Sequence, residues 1–287
     1  MEIIVGKNAG FCYGVKNAVN GAKNAVKNNE EVYCLGDIVH NETVIKELKK
    51  RGLKFSNNID EVKNKVIIRA HGETKGTYDE LTKKGITILD YTCPNVAKIH
   101  ETINQHKQED YFIILIGIKN HPEAIGTLSY ANSNSYLLQE KAQYEDLINL
   151  IKKSGKNNIL IIAQTTYNSK KFDDIVVDLK GLLTDKKIKV MKTICNATEI
   201  RQEETEEIAK KADIMIIIGD KKSSNTNKLY DISKKNCNKA IFVQNSNELN
   251  MEELHGASTI GIMAGASTPE EDINAVINKI NNYERNF

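Results

Sequence analysis

Cys12, Cys93 and Cys195 head the same pattern of residues. Each precedes a glycine, Gly36, Gly117 and Gly219, at one fixed separation, and each glycine closes an apolar run: VYCLG, FIILIG and IMIIIG. Shortly after each glycine stands a side chain suited to phosphate, His40, His121 or Ser223. A second apolar run in each copy ends in another polar tip: IIRAHG at His71, IIAQTT at Thr165 and IMAGAS at Ser267. One unit is written three times, and each copy supplies one thiol and two polar tips. Thiols from three equivalent lobes imply a centre on an approximate three-fold axis, a metal or cluster site with an anion pocket beside it.

Cys34 and Cys237 have no counterpart in the other copies and read as structural. Structural zinc usually takes four ligands, often in close Cys-x-x-Cys pairs, and the chain has no such pair. Catalytic zinc on three thiolates stays open. Three soft thiolates, distant in sequence, equally suit an iron–sulfur cluster. A cubane held by three cysteines leaves one iron open to a substrate oxygen.

The segments around the tips hold hydroxyls, an amide and imidazoles: VHN, AHGET, NHPE, QTT, KSSNT and GASTPE. This is an inventory for an anion, and a diphosphate would raise the protonated fraction of the histidines. Ser223, Ser224 and Ser267 precede expected helices, whose N-termini favour phosphate. Glu123 is the one carboxylate beside the set, in the first helical turn after Pro122. It reads as a proton donor, with Thr165 as relay, or as a simple helix-capping acid. His100, His106 and His255 have no repeat support and are assigned surface or capping roles. No GxGxxG fingerprint and no Walker A loop occurs, so no bound nicotinamide or flavin is expected.

Positioning these groups calls for strands ending at the tips and helices beginning at the thiols. Apolar residues follow helical spacing after each cysteine: Val15, Ala18, Val19 and Ala22; Val96, Ile99 and Ile103; Ala197, Ile200 and Ile208. A helix N-terminus favours thiolate over thiol. Further helices are expected over 42–51, 122–130, 141–153, 170–183 and 225–235. The apolar runs are continuous rather than alternating, the mark of parallel strands covered on both faces. The order is βαβα throughout, an α/β fold whose ligands bind at the strand C-terminal edge. The expected lobes are 13–92, 93–191, and 192–287 plus 1–12. Fraying is expected over the last residues, NNYERNF.

The 287 residues carry 40 Lys+Arg against 38 Asp+Glu, so the balance singles out neither nucleic acid nor a membrane surface as partner. No run is long enough to span a bilayer, and MEIIVGKNAG has no signal-peptide core. Five cysteines without extracellular context fit a reducing, cytoplasmic compartment. From the residues alone, three readings stand: a cluster enzyme acting on a phosphorylated small molecule, a three-thiolate zinc hydrolase, and a cluster-based redox sensor. Colour separates zinc from a cluster, and multiple turnover separates enzyme from sensor.

FCYGV, VHN, RAHG, DYTCPNVAKIH, NHPE, QTT, TICNATEIRQ, SSNT and GASTPE occur in this order along essentially the whole chain. In this the sequence resembles the LytB family of 4-hydroxy-3-methylbut-2-enyl diphosphate reductases. The resemblance implies three pseudo-repeated α/β lobes arranged as a trefoil around a central iron–sulfur cluster, the N-terminal strand joining the third lobe. It implies one 4Fe–4S cluster on Cys12, Cys93 and Cys195 with one open iron. His40, His71, His121, Ser223, Ser224, Asn225 and Ser267 would hold the diphosphate, Glu123 would donate the proton, and Thr165 would lie near the substrate hydroxyl. The implied reaction is a two-electron reductive dehydroxylation giving isopentenyl and dimethylallyl diphosphate, the last step of the non-mevalonate isoprenoid pathway. Reduced ferredoxin or flavodoxin would supply the electrons, to a monomer.

Overall fold

The computed structural model describes residues 1–27 and 31–284. Along the chain come β1 (Glu2–Val5), α1 (Tyr13–Ala25), β2 (Val32–Leu35), α2 (Glu42–Lys50), β3 (Lys54–Ser56), β4 (Lys65–Ile68), α3 (Lys75–Lys83), β5 (Thr87–Asp90) and α4 (Pro94–Gln108). Next come β6 (Tyr111–Ile116), α5 (Pro122–Leu128), β7 (Ser135–Leu138), α6 (Tyr144–Ser154), β8 (Asn158–Ala163), α7 (Ser169–Leu182), β9 (Lys187–Val190) and α8 (Asn196–Ala209). The chain ends with β10 (Ile214–Ile218), α9 (Ser224–Asn236), β11 (Lys239–Val243), β12 (Thr259–Ala264) and α10 (Glu270–Glu284).

The strands form three parallel four-stranded sheets, in the orders β3-β2-β4-β5, β7-β6-β8-β9 and β11-β10-β12-β1. The three orders are the same order. In each sheet the strand ending at the repeat glycine pairs with the strand ending at the second polar tip. β1 takes the place in the third sheet that β5 and β9 take in theirs, pairing Glu2 with Thr259. The N-terminal strand thus joins the third sheet, as expected.

The continuous apolar runs follow from two covered faces. Phe112, Ile114 and Ile116 of β6 enter one core, while Ile113 and Leu115 enter another on the opposite face. β10 does the same: Ile214, Ile216 and Ile218 face one core, Met215 and Ile217 the other. Alternate residues of a strand point to opposite faces, so a strand with two cores has no polar position to spare. Each such side chain stabilises the fold by about 1.5–3 kcal/mol relative to an exposed one.

Close contacts gather the chain into two compact units: Met1–Lys16, Val39–Leu48 and Asn196–Phe287 in one, Asn17–Ile38 and Lys49–Cys195 in the other. The first holds the sheet of β1, β10, β11 and β12; the second holds the other two sheets. Residues 39–48 belong with the third sheet's unit although β2 directly precedes them. Ser267 Oγ donates to the His40 carbonyl at 2.9 Å, and Asn41 Nδ2 to Asp272 at 3.4 Å.

The expected helices are present, and α3 is an addition. Its sequence KGTYDELTK opens on Thr74, whose side chain accepts the Thr77 N–H. α10 runs to Glu284, so residues 281–284 are helical rather than frayed. The rest of that expectation, residues 285–287, lies outside the described residues.

Candidate active site

Each of the three repeat cysteines immediately precedes a helix: α1 begins at Tyr13, α4 at Pro94 and α8 at Asn196. Their backbone N–H groups find equivalent partners. Cys12 donates to Ala266 O at 3.2 Å, Cys93 to Ala70 O at 3.0 Å and Cys195 to Thr165 O at 2.9 Å. Each acceptor lies just beyond the strand bearing a second polar tip, β12, β4 or β8, so the sequence repeat is also a repeat of hydrogen bonds. None of the three is in a disulfide, and all are partly exposed. Asn95 Nδ2 donates to Cys195 Sγ at 3.0 Å.

The other two thiols are different. Cys34 is fully buried in β2, and burial pushes its thiol up to about 12. Cys237 donates its S–H to the carbonyls of Ala212 and Lys239. Burial holds Cys34 as a neutral thiol, and Cys237 is engaged by backbone carbonyls. Neither is placed like the repeat set, which stands partly exposed at helix N-termini.

In the second unit, His121 caps α5. Its Nδ1 accepts the Glu123 N–H at 3.1 Å, which leaves Nε2 to carry the ring proton and donate. His71 meets its ring edge-on, with centroids 5.3 Å apart. Glu123 is 1 % exposed in the first turn of α5. Its carboxyl accepts the Thr165 N–H at 2.6 Å and the Thr165 hydroxyl at 2.7 Å. Burial raises its pKa to about 7 against these two bonds, which pull it down. This carboxyl holds or releases a proton near neutrality, as a general acid must.

In the first unit, Ser223 caps α9 by accepting the Thr226 N–H. That bond uses a lone pair and leaves the hydroxyl proton to be donated. Asn225 is buried, and neither its Nδ2 nor its Oδ1 meets a hydrogen-bond partner among the described residues. A buried amide with both ends unmatched is ready for a polar ligand. Ser224 is buried beside it. The first turn of α9 carries no acid, so its N-terminus is open to an anion. α10, which follows Ser267, opens on Glu270, Glu271 and Asp272 and already supplies its own negative charge. Ser267 Oγ donates to the His40 carbonyl, tying two expected ligands of this unit together.

Several positioning residues carry no sequence signal of their own. Gly265 lets α9 seat against the strand ends, since a Cβ there would lie 2.0 Å from Thr226 Oγ1. Gln164 takes the Ile118 N–H at 3.0 Å and so holds the loop leading to His121. His100 and His106 correct the surface assignment: both are buried. His100 stacks on Tyr130, contacts Thr127 Oγ1 at 3.3 Å, and is driven by burial to about 4, hence neutral. His106 bonds Thr102 O and Lys189 Nζ. His100 lies four residues after Val96 and three before Ile103, and His106 three after Ile103, spacings that place both on the apolar face of α4.

Each unit thus carries groups with enzyme chemistry at the ends of parallel strands: a carboxyl that titrates near 7 in one, a helix N-terminus open to an anion in the other. Residues 3–281 match the family model described as LytB protein, and the chain belongs to that family. A relative from Aquifex aeolicus, named 4-hydroxy-3-methylbut-2-enyl diphosphate reductase, is 40% identical over 98% of this chain and 96% of its own. One of the same name from Caldanaerobacter subterraneus subsp. tengcongensis is 37% identical with the same coverage. A solved structure of (E)-4-hydroxy-3-methyl-but-2-enyl diphosphate reductase, described as the terminal enzyme of the non-mevalonate pathway, is 39% identical. It covers 98% of this chain and 100% of its own, with TM-score 0.72. The E-1-hydroxy-2-methyl-but-2-enyl-4-diphosphate reductase from Plasmodium falciparum superposes with TM-score 0.87 at 30% identity, covering 96% of this chain and 87% of its own.

Proposed function

We propose that this chain reduces 4-hydroxy-3-methylbut-2-enyl diphosphate to isopentenyl and dimethylallyl diphosphate, the last step of the non-mevalonate isoprenoid pathway. Family membership over nearly the whole length supports the reaction. The observation that carries it to the residues is the Glu123–Thr165 pair, a buried carboxyl poised near neutrality. Loss of an allylic hydroxyl as water requires a proton, and Glu123 supplies it. Thr165 holds the carboxyl and lies near the substrate hydroxyl.

Cys12, Cys93 and Cys195 would hold one 4Fe–4S cluster with one open iron. When bound, the cluster would supply the two electrons and Lewis acidity. The diphosphate is held by His40, His71, His121, Ser223, Ser224, Asn225 and Ser267. His121 contributes its Nε2–H, Ser223 its hydroxyl proton and Asn225 its amide N–H. This grip positions the reacting end, so weakening it costs rate as well as affinity.

The electrons come from a reduced ferredoxin or flavodoxin, and the enzyme works as a cytoplasmic monomer whose three lobes follow the sequence repeat. Among the described residues no helix is long and apolar enough to cross a membrane. Anaerobic turnover of 4-hydroxy-3-methylbut-2-enyl diphosphate with a reduced viologen tests the reaction. Formation of both C5 diphosphates is the expected result. No product from protein with confirmed iron and sulfide content overturns it.

A further inference from the structure

The thiols differ in how their approach is built. Residues 91–92 lead from β5 to Cys93 and 191–194 lead from β9 to Cys195, whereas residues 6–11 lead from β1 to Cys12. In this longest lead-in Gly6 N reaches Ile262 O at 2.9 Å, Ala9 N turns back to Gly6 O at 3.1 Å and Gly10 N reaches Ala264 O at 3.5 Å, while the N–H groups of Lys7 and Asn8 go to a side chain.

Two side chains on one face of α8 supply the rest. The Glu204 carboxylate accepts the Lys7 N–H at 2.6 Å, the Asn8 N–H at 3.0 Å and Asn8 Nδ2–H at 3.0 Å. Arg201 donates from Nε to Asn8 O at 2.8 Å and from Nη2 to Gly10 O at 3.0 Å, while Nη1 bonds Ala197 O of its own helix at 3.2 Å. Arg201 is 3 % exposed, so water cannot readily replace it. The division is complementary: the anion takes the N–H groups of the lead-in and the cation takes its carbonyls. Backbone groups in such a loop must find partners, and charge-assisted bonds are the strong kind. Gly10, at φ +93°, lets the chain turn under this grip, and a Cβ there would meet Thr268 O at 3.2 Å.

We propose that Arg201 and Glu204 are positioning residues for Cys12, stapling its lead-in to α8 so that this thiol is presented to iron in a fixed place. The inference rests on the cluster reading given above. Lys7, Asn8 and Gly10 provide the handles, and no other thiol lead-in is held this way by the described residues.

The full-length protein, with and without iron, tests this in the variants Glu204→Ala, Glu204→Gln and Arg201→Lys. In iron-free protein, alkylation of each cysteine is followed by mass spectrometry, with Cys93 and Cys195 as internal controls. Glu204→Ala removes both the anchor and a negative charge, and both changes speed thiolate attack at Cys12. Losing charge-assisted bonds of this kind should accelerate Cys12 about tenfold or more, with the other two unchanged. Glu204→Gln, keeping one acceptor, should fall between parent and Glu204→Ala. In iron-loaded protein, Glu204→Ala and Arg201→Lys, which loses the two-carbonyl fork, should release iron to a chelator faster than the parent. Unchanged Cys12 labelling, or equal acceleration at all three thiols, overturns the proposal. A parent chain that binds no iron overturns the cluster reading instead, and the labelling pattern still decides whether the pair fixes Cys12.

Discussion

Glu123 and Thr165 are joined twice: the backbone N–H and the hydroxyl of Thr165 both donate to the Glu123 carboxyl, at 2.6 and 2.7 Å. The carboxyl is thereby fixed in direction while burial keeps its proton exchangeable near pH 7. Conversion of Glu123 to Gln keeps shape and burial but removes the proton. We expect the Glu123→Gln variant to retain full iron content and to lose roughly 10²–10⁴-fold in turnover. Iron analysis and steady-state kinetics on the same sample check this, and unchanged turnover removes Glu123 from the reaction.

The hydroxyl bond from Thr165 favours the carboxylate form. Thr165→Val deletes it and leaves the backbone bond in place. A hydrogen bond to a charged group contributes about 1.5–3 kcal/mol, so the Glu123 pKa should rise by about one to two units. With the acid form as the active one, as proposed, the alkaline limb of the pH–rate profile should move up by the same amount. A limb that stays in place or moves down contradicts the arrangement.

Glu123 also links stability to pH. An ordinary glutamate loses its proton near 4.5, and here the folded state holds it to about 7. Between these values the native protein binds a proton that the unfolded chain has released, so stability falls as pH rises through the window. The full effect is about 3 kcal/mol. Urea unfolding of iron-free protein at pH 4.5 and pH 8 should show this loss, and Glu123→Gln should remove that part of the slope.

The thiols separate by position. Cys93→Ser should lose most of its iron on anaerobic purification, and Cys34→Ser should keep it. Cys34 is buried with its thiol held protonated. Equal iron in both variants contradicts the ligand assignment.

At the anion end of α9, Gly265→Ala should drive a methyl into Thr226, whose Oγ1 lies 2.0 Å from the new atom. Overpacking of this kind costs about 1–3 kcal/mol and displaces Ser223, Ser224 and Asn225 together. KM for the diphosphate should rise sharply. Adding Thr226→Ala should recover much of both losses, which thermal unfolding and KM read separately.

The central strands and the helices that follow the thiols were legible because their burial is complete. β6, β8, β10 and β12 are buried on both faces and write themselves as unbroken apolar runs. The edge strands β3, β5, β7 and β9 are short and half-covered, and LysPheSer at 54–56 or Lys187–Val190 gives no such run. Helix α3 stayed hidden because KGTYDELTK is polar and buries only Leu81. The site tips were legible through the repeat. The grip of Gln164 on Ile118 and of Arg201 on Asn8 was not, because hydrogen bonds between residues far apart in sequence leave no periodic trace. His100 and His106 were misplaced because polarity was weighed above the apolar stripe they share with Ile99 and Ile103.

The place of β1 in the third sheet sets the order of events during biosynthesis. Glu2–Val5 are made before every other strand described here, yet their partner is Thr259–Ile262 of β12. The carbonyl that fixes the Cys12 backbone belongs to Ala266. Cys12 is therefore the earliest of the three thiols to be made and the last to be placed. A chain that stops before β12 can fix the Cys93 and Cys195 backbones on Ala70 and Thr165 but not Cys12. If the three thiols hold a metal centre as proposed, synthesis through β12 is a precondition for loading it.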